Sequence, residues 1–246
     1  MSALDVYMSK VTKILEKVNA TQKQAMEKAA KIIADANKTK NSIFAFGCNH
    51  AGLLAFELFY RTGGMVTINP VRAPGMMLEI TPITSSSKME RLTDYGKIIF
   101  DGLKTKKGDV MIIHSVSGRN NVTIDMAKSA KEAGLTVIVL TSLEMANGVT
   151  SRHPSGKMLH HFGDVVIDNC GVVGDAVVEL DGFDQKVSAT STAVGAAILN
   201  AVVARADELL LESGVTPPVF KSGNMDGGDE FNKKVIEEYK DNIFYM

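Results

Sequence analysis

Five short runs constrain this chain's fold more than any other feature: 42–46, 65–69, 110–114, 136–140 and 165–168 are apolar at successive positions rather than at alternate ones. A strand that is apolar on both faces has to be covered on both, which is the condition of a parallel sheet with a helical layer on each side. Helical patterns fill most of the intervals, as the crossovers of such a sheet require. Over 4–37, Leu4, Met8, Val11, Leu15 and Val18 recur every three or four residues with no Pro or Gly between, which predicts one or two long helices. A last apolar helix is predicted over about 192–212, stopped by Gly214 and closed off by Pro217 and Pro218. The expected fold is α/β, a doubly wound αβα sandwich around a five-stranded, mainly parallel sheet. With 246 residues, no internal repeat and no low-complexity linker, a single domain, 1–246, is expected, with N-terminal helices over 1–40 and a C-terminal tail over 215–246.

Lys and Arg number 27 against 28 Asp and Glu, a net charge of −1, so nothing marks the chain for nucleic acid or an anionic membrane. No run approaches the roughly 20 apolar residues of a membrane span. Residues 1–17 carry Asp5, Lys10, Lys13, Glu16 and Lys17 where a secretory leader would be apolar. Cys48 and Cys170 are too few for a disulfide framework or a CxxC metal site, and fit a reducing, cytoplasmic setting.

Ligands of open α/β sheets bind beyond the carboxyl ends of the strands. The first loop there, Gly47-Cys48-Asn49-His50-Ala51-Gly52, is not a dinucleotide fingerprint, which would need Gly in place of Asn49. Nor is it a Walker loop, since Leu53 and Leu54 stand where Lys and Ser or Thr belong. No cofactor is expected. What remains is a strand-to-helix turn suited to an anion, with Asn49 and His50 as side-chain donors and Cys48 beside them. The next helix, expected to run to about Arg61, has almost no polar face, so Glu57 falls among Leu53, Leu54, Phe56, Leu58, Phe59 and Tyr60. Either it forms a structural i, i+4 pair with Arg61, or it is a general base raised toward neutrality by burial. His50, on the same helix side, is then the acid, though roughly 10.5 Å of helix separates the two.

The second loop, Ser115-Val116-Ser117-Gly118-Arg119-Asn120, precedes a helix predicted at 122–133 and is the strongest signal. In extended chain Ser115 and Ser117 point the same way, Gly118 permits close backbone approach, and the helix start at Asn120 supplies N–H groups and its dipole. That is a phosphate cradle, with Arg119 within it; the alternative is a solvent-facing turn that caps a helix. Thr190, Ser191 and Thr192 repeat the pattern before the last helix, either completing the phosphate site or capping the helix, although Gly195 stands where a capping box needs Glu or Gln. Arg152 and His153 lie in a loop at the ligand-bearing edge, read chiefly as solvated. His160 and His161 are adjacent, without the i, i+4 spacing of a helical metal pair, and no metal site is expected. The acidic stretch 224–230 lacks the glycine of an EF-hand loop, with Phe231 in its place, and reads as a contact with another subunit.

From Gly108-Asp109-Val110 through Ser115-Val116-Ser117-Gly118-Arg119-Asn120, and again from Ala127 to Thr141, the chain resembles the signature half of a sugar isomerase (SIS) domain. Stretch 43–61 looks like that domain's first strand, first phosphosugar loop and first helix, and 155–167 like its short helix and last strand. Glu57-Leu58-Phe59-Tyr60-Arg61 is similar to the glutamate-bearing helix of phosphoheptose isomerases. The resemblance implies a phosphorylated sugar held by Ser115, Ser117 and the Asn120 helix start, with Glu57 as base. Phosphoheptose isomerases carry a catalytic histidine on the last helix, whereas 189–212 here has none. An aldose–ketose isomerase of a sugar phosphate is expected, the alternatives being a non-catalytic phosphosugar sensor or an amino-sugar phosphate lyase. The apolar first and last helices suggest a homodimer or homotetramer.

Overall fold

The computed structural model describes residues 1–246. Two helices open the chain, α1 (Ala3–Thr21) and α2 (Lys23–Lys38), followed by β1 (Ile43–Gly47), α3 (Leu53–Glu57), β2 (Ile68–Pro70), α4 (Thr84–Met89) and α5 (Tyr95–Asp101). Next come β3 (Val110–His114), α6 (Asn121–Glu132), β4 (Thr136–Thr141), α7 (Leu143–Asn147) and β5 (Val165–Asp168). A hairpin of β6 (Ala176–Leu180) and β7 (Phe183–Ala189), then α8 (Ser191–Glu212) and α9 (Gly228–Glu238), complete it. No helix is long and apolar enough to cross a membrane.

The main sheet runs β2-β1-β3-β4-β5 with every pair parallel; Ile43 stands opposite both Ile68 and Val110, and Val110 opposite Thr136. β1 and β3 are buried at every residue, as runs apolar on both faces require. Alternation along the strands divides the core in two. Ile43, Ala45, Val110 and Ile112 face α2, α3, α8 and the inner side of α1, while Phe44, Phe46, Met111 and Ile113 face α5 and α6. This is the expected doubly wound αβα sandwich.

Three features depart from the expectation. α3 ends at Glu57, and the chain turns through Tyr60 at φ +44° before Arg61. The antiparallel β6–β7 hairpin, mostly exposed on β7, intervenes before α8 and is not implied by the apolar runs. The tail over 215–246 folds back on the sheet edge. Phe244 stacks on Phe44 at 5.7 Å, its N–H donates to Asn69 Oδ1, and Asn69 Nδ2 donates to the carbonyl of Asn242. The chain's own tail thus protects the β2 edge, which would otherwise offer unpaired backbone to another strand.

α5 lies on the first turn of α6 so closely that a Cβ on Gly96 would collide with the Val122 carbonyl and come within 2.9 Å of Met126 N. Backbone cannot yield as a side chain can, so Gly96→Ala is expected to lower stability in urea unfolding by about 1–3 kcal/mol. Gly102, at the end of α5, has ordinary helical φ and its nearest neighbour at 3.4 Å, so Gly102→Ala is expected to leave stability unchanged or slightly raised.

Candidate functional site

β1 sits between β2 on one side and β3 on the other, so the loops leaving β1 and β3 part company and open a crevice at the carboxyl ends of the strands. A cleft of about 300 Å³ lies there, lined by Cys48, Asn49, His50 and Ala51 after β1 and by Ser115, Val116, Ser117 and Asn120 after β3. Glu90, Met145, Gly174 and Asp175 complete its walls. A larger hollow of about 490 Å³ lies at the β2 edge beside the tail, away from both loops.

The β3 loop is held from below. Thr141 Oγ1 donates to the carbonyls of Ser115 and Val116 at 2.7 and 3.1 Å. Gly118 adopts φ +59°, and a Cβ there would stand 3.2 Å from Leu159 Cβ, so glycine fits where a side chain would be strained. Ser115 Oγ accepts the Gly118 N–H at 3.2 Å, while the N–H groups of Val116, Ser117, Arg119 and Asn120 donate to no protein acceptor. Free N–H groups just ahead of a helix are suited to an anion. The Arg119 side chain does not join this group: its Nε donates to the carbonyl of Thr150 at 2.9 Å, outside the cleft lining.

Glu90, on the turn that ends α4, is the site residue that no sequence pattern marks. Its Oε1 accepts from Asn49 Nδ2 at 2.5 Å and its Oε2 from Asn120 Nδ2 at 2.6 Å, so one carboxylate ties the β1 loop to the start of α6. Burial raises the Glu90 pKa above the usual carboxyl value, outweighing the two amide bonds and the Arg91 and Arg152 charges that lower it. The turn is anchored by α6: Val122 N–H donates to the Glu90 carbonyl at 3.2 Å, and Asn121 Nδ2 donates to Arg91 O at 2.9 Å and Thr93 Oγ1 at 3.0 Å. Burial, and secondarily the Glu90 charge, pushes the Cys48 thiol well above its ordinary value, so Cys48 lines the cleft as a neutral group.

Glu57 lies elsewhere. It is half-exposed at the end of α3, outside the cleft, where Oε1 receives the Arg61 guanidinium and Asn200 Nδ2 at 3.1 Å. The expectation of a carboxylate enclosed in an apolar helix fails because α3 stops there, and the helix face that would align His50 with Glu57 is not formed. His50 itself, exposed in the turn Asn49–Gly52, does line the cleft.

Thr190, Ser191 and Thr192 do not reach the cleft. Asp175 Oδ1 accepts the N–H groups of Thr190 and Ser191 at 3.1 and 2.8 Å, and Oδ2 accepts Ser191 Oγ at 2.5 Å. A protein carboxylate therefore sits at the start of α8, accepting two of its N–H groups and facing its dipole from within. His153 is buried rather than solvated, with Nε2 2.9 Å from Asp125 Oδ1 and Nδ1 2.7 Å from Ser155 Oγ. Beside it, Arg152 Nη1 donates to Asn120 Oδ1 at 2.8 Å. At the end of β3, His114 is fully buried, Nδ1 3.2 Å from the Ala51 carbonyl; burial lowers its pKa to about 4.

The family model for the SIS domain matches residues 6–142. A UPF0309 protein of Oceanobacillus iheyensis is 46% identical over 246 residues, the whole of both chains. Another, from Caldanaerobacter subterraneus, is 40% identical over 246 residues, 99% of this chain and 100% of that one. Among solved structures, a phosphoheptose isomerase from Francisella tularensis superposes with a TM-score of 0.56 at 13% identity, covering 85% of this chain and 100% of that one. The Neisseria gonorrhoeae phosphoheptose isomerase gives 0.53 at 16%, covering 84% and 96%. At these identities the likeness to solved structures is one of fold.

Two stability measurements test this geometry. Asp175→Ala removes the cap of α8 and is expected to lower stability in urea by about 0.5–2 kcal/mol. His114 has a folded pKa below the roughly 6.5 of a free histidine, so its stabilisation is present above that pH and lost as pH falls toward 4. A decline on the order of 3 kcal/mol across this window is expected from His114, and His114→Gln should lack that component.

Proposed function

The chain belongs to the SIS domain family, and from that premise and the crevice geometry we propose that it binds a phosphorylated sugar and interconverts its aldose and ketose forms with a glutamate as base. Glu90 carries this reading: a carboxylate of raised pKa, largely withdrawn from water, held by two amides across from a wall of free N–H groups. The phosphate sits on the loop over 115–120, with the Ser115 and Ser117 hydroxyls donating to it. An enediol route needs one base that takes a proton from the carbon beside the carbonyl and returns it to the neighbouring carbon. Each Glu90 oxygen accepts one amide bond and retains a lone pair for that proton. His50 on the lip of the same cleft serves the substrate oxygens as acid. Glu57, tied to Arg61 and Asn200, takes a structural part. α1 exposes Leu4 and Met8 and α8 exposes Leu211, apolar surface that further copies would cover in a homodimer or homotetramer acting in the cytoplasm.

Exchange of the carbon-bound proton in heavy water, with hexose and heptose phosphates as substrates, tests the base. Glu90→Gln is expected to retain binding and to lower exchange by at least about 10²-fold. Equal exchange by variant and wild type would remove Glu90 from the role, and binding without exchange in the wild type would leave a phosphosugar sensor. A folded pKa above the free value of about 4.3 means that ionisation of Glu90 opposes folding above that pH. In thermal melts the wild type is therefore expected to gain stability relative to Glu90→Gln as pH falls from 7 to about 4. Ser117→Ala is expected to weaken sugar-phosphate binding by about ten-fold or more in calorimetry, with the thermal midpoint unmoved.

A further inference from the structure

Helix α1 is tied to the body at both ends and stands off it in the middle. Near its start Tyr7 Oη donates to the Ala189 carbonyl of β7 at 3.0 Å. At its other end Gln22 Oε1 accepts the Asp168 N–H at 3.0 Å, and Thr21 Oγ1 lies 3.7 Å from Cys170 Sγ. Between these ties α1, α7 and the β6–β7 hairpin border a groove of about 280 Å³, close in size to the cleft at about 300 Å³. Its floor is apolar and buried, made by Ile14, Cys170 and Val177. Its sides are cationic: Lys10, Lys13 and Lys17 line it along one side of α1, and Lys186 lines it from β7.

These charges are not balanced from within the chain. Lys186 pairs with Glu179 at 2.9 Å, but Lys10, Lys13 and Lys17 form no ion pair. The lining holds one carboxylate, Glu144, which forms none either, so three unpaired ammonium groups stand against one acid. Asp168 and Asp175, the nearest acids along the bordering loops, are engaged by backbone N–H groups of Leu143, Cys170, Thr190 and Ser191. Like charges three and four residues apart on a helix repel, and an anion in the groove would relieve that repulsion. Leu4 and Met8 lie on a different side of α1, so a second copy seated on them leaves the lysines open. The groove also backs onto the cleft without being part of it. Glu144 precedes Met145 and Ala176 follows Asp175, and both Met145 and Asp175 line the cleft.

We propose that this groove is a second binding site, for a small organic anion with two or more charges. Its carbon body covers Ile14 and Val177, and its carboxylate or phosphate groups take Lys10, Lys13 and Lys17. An ammonium is a point charge with three donors and suits either group. Apolar contact with the floor separates such a ligand from a bare ion. The site is independent of the phosphosugar reading of the cleft.

Calorimetry and hydrogen exchange with four probes test it: citrate, phosphoenolpyruvate, sulfate as charge without carbon, and lactate as carbon with one charge. Citrate or phosphoenolpyruvate, according to whether the site takes carboxylates or phosphates, is expected to bind about ten-fold or more tightly than sulfate and lactate at low ionic strength, and to weaken as salt rises. The bound anion is expected to slow amide exchange over 10–17 and 183–187. Lys10→Glu and Lys13→Glu are each expected to weaken binding about ten-fold or more, with thermal melts confirming that both variants fold, while Ser117→Ala leaves it unchanged. If neither organic anion binds, or sulfate binds as tightly, the site is refuted. It is refuted equally if binding survives both lysine variants, or if Ser117→Ala abolishes it and protection falls on 115–120, which would place the anion in the cleft.

Discussion

The first turn of α6 is where the candidate site is assembled. A helix start leaves N–H groups without intrahelical partners, and here Val122 N–H takes the Glu90 carbonyl while the Asn121 side chain takes Arg91 O and Thr93 Oγ1. Gly96 lets α5 settle on the same turn. These contacts bring the segment after α4 to the ends of β1 and β3, and the Glu90 carboxylate then bridges Asn49 and Asn120. Loss of the α6 contacts would release the two loops from each other as well as the carboxylate from the crevice.

Two helices begin near this edge of the sheet, and they are treated differently. At the start of α8 Asp175, a carboxylate of the chain itself, accepts the Thr190 and Ser191 N–H groups and the Ser191 hydroxyl. Ahead of α6, four N–H groups have no protein acceptor. Since an anion at a helix start is favourable whatever supplies it, Asp175 contributes to stability at α8, while the N–H groups ahead of α6 remain free to meet an anion from outside the chain. The other local costs cluster at the open end: Asn49 at φ +53° with an unpaired Oδ1, a partly buried carboxylate of raised pKa, and a neutral His114 with an unpaired Nε2. The fully covered strands and their two apolar faces supply the stability that tolerates them.

Much of the fold is legible in the residues. Strands apolar on both faces demand two helical layers, and the spacing of Leu4, Met8, Val11, Leu15 and Val18 gives helix. The loop over 115–120 is legible as well, because hydroxyls and a glycine just before a helix act through the backbone next to them. The β6–β7 hairpin carries its own local signal, Asp181-Gly182 between β-branched and aromatic residues, though it adds nothing to the main sheet.

What the sequence by itself determined, then, is the sheet, its helical cover and one anion-ready loop, since periodicity and turn chemistry act within a few residues. Which glutamate faces the crevice was decided only in three dimensions. Glu57 stands among apolar neighbours in sequence, yet it ends α3 half-exposed and bonds to Asn200, 143 residues away. Glu90 stands in an irregular polar stretch, yet it is withdrawn from water between Asn49 and Asn120, 41 and 30 residues distant. Thr190 and Ser191 look like an open helix start until Asp175, on the far side of a hairpin, closes it. The environment of a polar group is set by the desolvation and the partners that remote segments bring to it, and these exist only once the chain has packed.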